Sequence, residues 1–198
     1  MGAIMAVVED PRRTRILDSA MKLVLAYGYS RITMEDVAKA AEMSRPALYL
    51  LFKNKTDIYR AIASKFMESA VAIAAEELGR QGDFTARMMT AIDRGMIDGM
   101  CRLTTSPHGA EIMDMKNSIA GDIAAKWREC MAWHLCGAID NQATENGVDL
   151  AARGLSSHLL ADVLLDGLEG MKTRGRDAAA CQEMALGLVS LVERAIAR

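Results

Sequence analysis

The chain has 198 residues, with 24 basic side chains against 26 acidic ones, half of its residues apolar and a quarter charged. That is an ordinary globular composition, long enough to bury a real core in one large domain or two small ones. No apolar run approaches the roughly 18 residues that cross a bilayer. The apolar opening Met1 to Val8 lacks a basic stretch before it and ends in Glu9-Asp10, so neither a signal peptide nor a membrane partner is expected. A myristoylation pattern fails at Ala6, and the expected location is the cytoplasm.

Proline occurs only three times, aromatic residues make up 5%, and Ala, Leu, Met, Glu, Lys and Arg dominate most stretches without two-residue apolar alternation. This predicts an all-α chain of about nine helices. The first runs from Asp10-Pro11, a capping residue and a proline suited to the first turn, through Ile16, Ala20, Leu23, Val24 and Tyr27 to a stop at Gly28. Thr33, with Asp36 three positions later, resembles a capping box and opens a short helix whose inner edge is Val37, Ala38 and Ala41. Ser44 then caps a second short helix with Arg45-Pro46 in its first turn and Leu48, Leu51 and Phe52 as its apolar positions. Two short helices joined at Glu42-Met43, the second with its own cap, are what a DNA-reading helix-turn-helix requires.

The charge distribution agrees. Residues 1–65 carry 11 basic and 7 acidic side chains, while residues 66–198 carry 13 and 19, so a polyanion is expected to meet only the first third. The second helix would aim its N-terminal N–H groups at phosphate, and the Arg45 fork matches a guanine edge. Tyr49 is placed to reach a phosphate, as are the hydroxyl or N–H of Thr33 and the ammonium of Lys55.

A long helix is expected from Lys55 through Ile58, Ile62, Phe66, Ser69 and Ile73 towards Gly79, and another, capped by Gly82-Asp83, over 84–102. Residues Thr104 to Gly109 form the clearest loop. Helices over about 110–116 and 118–145 follow, with Asn146-Gly147 as the break. Two strongly apolar helices, about 149–171 and 177–197, end the chain, with Gly167, Gly170 and Gly187 allowing close approach. Cys101, Cys130, Cys136 and Cys181 are irregularly spaced and read as small core residues rather than zinc ligands. No metal and no cofactor are expected. No nucleophile with a base beside it, H-E-x-x-H or Gly-rich phosphate loop occurs, so an enzyme is not expected.

The run from Ile32 to Ala41, then Ser44-Arg45-Pro46-Ala47-Leu48-Tyr49, then Phe52-Lys53-Asn54-Lys55, with Tyr27-Gly28-Tyr29 before it and Ile58 after, resembles the TetR family of bacterial transcription regulators. The resemblance covers residues 10–65 and departs at two positions. Glu42 stands where the turn usually has glycine, and Leu51 where His or Tyr is common. It implies a DNA-binding domain over 10–65 with 45–52 as recognition helix, and a helical ligand-binding and dimerisation domain over 66–198. The implied DNA-contacting set is Thr33, Ser44, Arg45, Pro46, Ala47, Tyr49, Leu50 and Lys55.

The resemblance also implies a homodimer on a palindromic double-stranded operator, released by a small effector. The Met-rich stretch suits an apolar effector, with Met88, Met89, Met96, Met100, Met113, Trp127, Met131 and His134 as candidate lining; filling of an irregular core is the alternative. Leu159, Val163, Leu164, Leu168, Leu188 and Val192 are the candidate dimer interface. Repressor rests on family usage. An activator on the same fold, a helical enzyme with a Met-lined pocket and an architectural DNA protein are the other readings. The excess acidic charge of 66–198 opposes the last.

Overall fold

A computed structural model describes residues 10–172 and 178–198, without the side chains at 100, 102, 104, 113, 116, 117, 172 and 178. The described residues are helical throughout: α1 (Pro11–Tyr27), α2 (Met34–Ala40), α3 (Arg45–Leu51), α4 (Lys55–Gly79), α5 (Phe84–Ile92), α6 (Asp98–Thr104), α7 (Gly109–Ile119), α8 (Gly121–Asn146), α9 (Ser157–Lys172) and α10 (Ala178–Ile196). A π-helical turn, Asp93–Ile97, joins α5 to α6 without a break. Counted as rods, α5 and α6 are therefore one, and the described residues hold nine.

The chain divides into two compact units, one of residues 1–65 with 106–120, the other of 66–105 with 121–198. In the first, Ile16, Leu17 and Ala20 of α1 meet Val37, Ala38 and Ala41 around α2, Leu48 of α3, Phe52 and Ile58. The starts of α1 and α4 and the end of α1 are closed locally. The Asp10 carboxylate accepts from the Arg12 N–H at 2.9 Å, Asn54 accepts from the Asp57 N–H at 2.8 Å, and Gly28, at φ 81°, donates back to the Val24 carbonyl. These contacts satisfy backbone groups that a helix end leaves open.

The segment 106–120, expected with the second domain, packs in this first unit. Polar contacts explain why. The Ser30 N–H donates to Glu111 Oε1 at 2.8 Å, Tyr59 donates to the Ile112 carbonyl at 3.1 Å, Arg60 to the Ile119 carbonyl at 2.6 Å, and Ser106 to the Leu25 carbonyl at 3.0 Å. Burial, and then Tyr29, push the Tyr59 phenol up to about 12, so it stays a hydrogen-bond donor.

In the second unit one apolar core gathers α5, α8, α9, α10 and the second half of α4. The inward stripe of α4 here is Ala70, Ala74 and Leu78. Phe66 and Ser69, expected on that stripe, are exposed, and Ile73 is half-buried. Small alanines let neighbouring helices approach where a larger stripe would hold them off. Buried Glu77 is held by Arg94 and by Arg80 at 2.9 Å, as a carboxylate out of water requires.

The helix expected from 149 begins instead at Ser157. A short 3-10 turn, Ala151–Arg153, ends in Gly154 at φ 69°, a left-handed stop. Helix α7 runs longer than expected, to Ile119, and α8 starts later, at Gly121. Asn146-Gly147 ends α8 as expected, with Gly147 at φ 67°. The connection expected over 173–176 lies outside the described residues.

Candidate nucleic-acid interface

Helices α2 and α3 are seven residues each, too short to hold themselves, so caps and a shared core fix them. At the start of α2 the capping box is complete. Thr33 accepts from the Asp36 N–H at 3.2 Å, while its own N–H and hydroxyl donate to Asp36 Oδ2 at 2.8 and 2.7 Å. That hydrogen-bonding holds the Asp36 carboxyl below its ordinary range. Between the helices Glu42 takes φ 55°, the one positive φ at a non-glycine among the described residues. Ser44 then accepts from the Ala47 N–H at 3.4 Å and starts α3.

From α3 only Leu48 is buried, and Leu51 and Phe52 pack on the same core. Leu51 therefore turns inward, which explains how an apolar residue is accommodated at that position. The opposite side of α3 is open: Arg45, Pro46, Tyr49 and Leu50 are exposed and Ala47 is half-buried. Arg45 stands over the Tyr49 ring, 5.7 Å from its centroid, and forms an exposed ion pair with Glu35 of α2 at 3.6 Å. Sequence reasoning missed Glu35, because its partner lies on another helix.

Two expected phosphate contacts have other tasks in this structure. The N–H and hydroxyl of Thr33 are both committed to Asp36. The Lys55 ammonium donates to the carbonyls of Tyr29 at 3.1 Å, Ile32 at 3.3 Å and Ser30 at 3.5 Å, and lies 4.4 Å from the Tyr29 ring centroid. It has three donors, and all three point into the turn before α2. Lys55 is thus a clamp on the head, not a side chain reaching outward. The exposed cations Arg31, Lys39 and Lys53 were not singled out from the sequence.

In the second unit, Met88, Met96, Trp127 and Met131 are buried in one core, with Met89 packed against it. His134 is half-buried, and burial lowers its basicity. The side chains of Met100 and Met113 lie outside the described residues. A cleft of about 440 Å³ opens elsewhere, lined by Asp83, Phe84, Gln142, Glu145, Glu193 and Arg198 among others, and no candidate methionine lines it.

The six candidate interface residues separate by burial. Leu164, Leu168 and Val192 are inside their own unit's core and Leu188 packs against it, while Leu159 and Val163 are exposed. Leu188 also touches α9 closely, since a Cβ on Gly167 would sit 2.6 Å from its Cδ1. Among the described residues, the large apolar side chains exposed on α9 and α10 are Leu159, Val163, Leu186 and Leu191.

Two capped helices on a common core, with one open face carrying a guanidinium, a phenol and two apolar side chains, define a helix-turn-helix DNA-binding protein. Residues 16–62 match the family model for bacterial regulatory proteins of the tetR family. The HTH-type transcriptional repressor Rv1474c of Mycobacterium tuberculosis is 25% identical over 196 residues, 94% of each chain. The structure of a TetR-family regulator from Mesorhizobium loti superposes with a TM-score of 0.68 at 16% identity, covering 92% of this chain and 95% of that one. The repressor FadR of Thermus thermophilus, solved with lauroyl-CoA, gives 0.58 at 17% identity, covering 90% and 93%. Over residues 16–62 the chain thus carries the sequence pattern of the tetR family of bacterial regulatory proteins, and its fold is that of TetR-family structures.

Proposed function

We propose that this regulator is a cytoplasmic homodimeric repressor that leaves a palindromic operator when a small apolar effector binds its second unit. The observation that carries the reading is the open face of α3, with Arg45, Pro46, Tyr49 and Leu50 exposed above a core that takes Leu48, Leu51 and Phe52. Arg45 reads a guanine edge, as its bidentate fork fits O6 and N7. Tyr49 holds a phosphate and fixes register. Arg31, Lys39 and Lys53 supply the cationic rim that makes binding depend on salt. The name of the full-length mycobacterial relative supports repression.

Effector release is a population shift. DNA favours one separation of the two recognition helices, about 34–36 Å for successive major grooves, and the effector favours another, so each weakens the other's binding. The methionine-rich core of the second unit supports an apolar effector, since Met side chains adapt to varied shapes. A fatty acyl thioester is a suitable first probe, as the Thermus relative was solved with one.

Mobility shifts on DNA flanking the protein's own gene, at two salt concentrations, test the DNA half. Competitor-resistant binding is the expected result, and binding to every sequence alike with only a steep salt dependence overturns it. Addition of lauroyl-CoA, followed by a wider set of apolar compounds, tests the second half. A compound that binds but leaves operator affinity unchanged overturns coupling through its site.

A further inference from the structure

Leu50 is 87% exposed, the most open of the large apolar side chains among the described residues. It stands one turn after exposed Pro46 on the same side of α3. An exposed leucine alone says little. This one lies on the open face of α3, beside Pro46, on a helix of unusual composition. The sequence of α3, Arg-Pro-Ala-Leu-Tyr-Leu-Leu, contains no Asn, Gln, Asp, Glu or Lys. Adenine is read in the major groove by an amide and cytosine by a carboxylate, so α3 has a partner for neither. Guanine is read by a guanidinium and thymine by apolar contact with its 5-methyl group.

We propose, on the footing that α3 is the recognition helix, that Pro46 and Leu50 form a thymine-methyl reader and determine specificity together with Arg45. Recognition of A·T pairs then runs through the methyl group rather than through hydrogen bonds. Leu50 is five residues beyond Arg45, a rise of about 7.5 Å along the helix. The two side chains also point about 140° apart around the helix axis, so Arg45 and Leu50 meet different base pairs of one half-site. Burial against a methyl group also removes the Leu50 side chain from water, a gain that a bare cytosine or uracil edge does not offer.

The test begins with selection of bound fragments from random-sequence duplexes by the full-length wild-type protein. Thymines of the selected half-site are then replaced one at a time by deoxyuridine, which pairs identically but lacks the methyl group. The expected result is a loss of about three- to five-fold in affinity at one or two positions, the worth of a buried methyl. In Leu50→Ala the same replacements have little further effect, while Arg45→Ala keeps the uracil penalty and loses guanine preference. Leu50 packs on no core, so its replacement leaves the fold intact, and the uracil series on wild-type protein needs no variant at all. Uracil at every thymine without loss overturns the methyl reader while leaving the DNA-binding reading in place. Failure of the selection to enrich any sequence overturns both.

Discussion

At the scale of single residues, what a polar side chain does depends on where its donors are already spent. Lys55 looks from its position like a cation that reaches phosphate, yet its ammonium satisfies three carbonyls of the turn before α2. Lys55→Met is expected to cost about 1.5–3 kcal/mol, the usual worth of hydrogen bonds to a charged group, read as a fall in Tm. The slope of operator affinity against salt stays unchanged, whereas loss of a phosphate contact would lower it by about 1. The capping pair gives a pH prediction. Asp36 is held below its ordinary value by Thr33, so the folded state binds that proton less readily than the unfolded one. Its contribution is complete above the ordinary carboxylate value, about 3.9, and disappears as pH falls through the lower folded value. Calorimetry from pH 6 downward should show the Tm gap between wild type and Asp36→Asn closing in acid. Both caps of the reading head were legible in the sequence, because a cap's partner is three residues away. The task of Lys55 was not, because its partners lie 23 to 26 residues upstream.

At the scale of elements, conformational cost is concentrated in the turn between α2 and α3. Glu42 occupies a left-handed conformation at φ 55°, which costs a residue with a Cβ about 1–2 kcal/mol. Glu42→Gly is expected to recover much of it and to raise Tm by roughly 2–4 °C per kcal/mol in a chain of this length. An unchanged or lower Tm would mean that the glycine's added freedom in the unfolded chain outweighs the relief. Helices α1 to α3 were legible because their ends are written locally, in the stop at Gly28 and the caps at Thr33 and Ser44. The start of α9 was not. Apolar spacing runs on through Leu150 and Leu155, and only the left-handed Gly154 between them interrupts it. The stripe of α4 was misread for a related reason: Ala70 and Ala74 are weak signals beside Phe66 and Ile73, yet small side chains are what close packing selected there. The π turn at 93–97 has no sequence pattern that periodicity would reveal.

At the scale of the whole molecule, burial separates core from candidate surface on the last two helices. Val163→Glu with Leu191→Glu is expected to yield a folded monomer by sedimentation, with operator affinity greatly reduced. Leu164→Ala instead costs about 2–5 kcal/mol of stability, because that side chain is fully buried in its own unit. Sequence periodicity identified α9 and α10 as apolar but did not say which of their sides faces inward, since both helices carry leucine and valine on more than one side. The head itself is built from two stretches of chain. It ends midway along α4, and residues 106–120 rejoin it to give Ser30, Tyr59 and Arg60 their partners. A gene fragment stopping at residue 65 would lack those acceptors. Recombination that grafts a foreign operator specificity onto this protein must therefore carry two separated stretches together, or confine itself to the few exposed positions of α3.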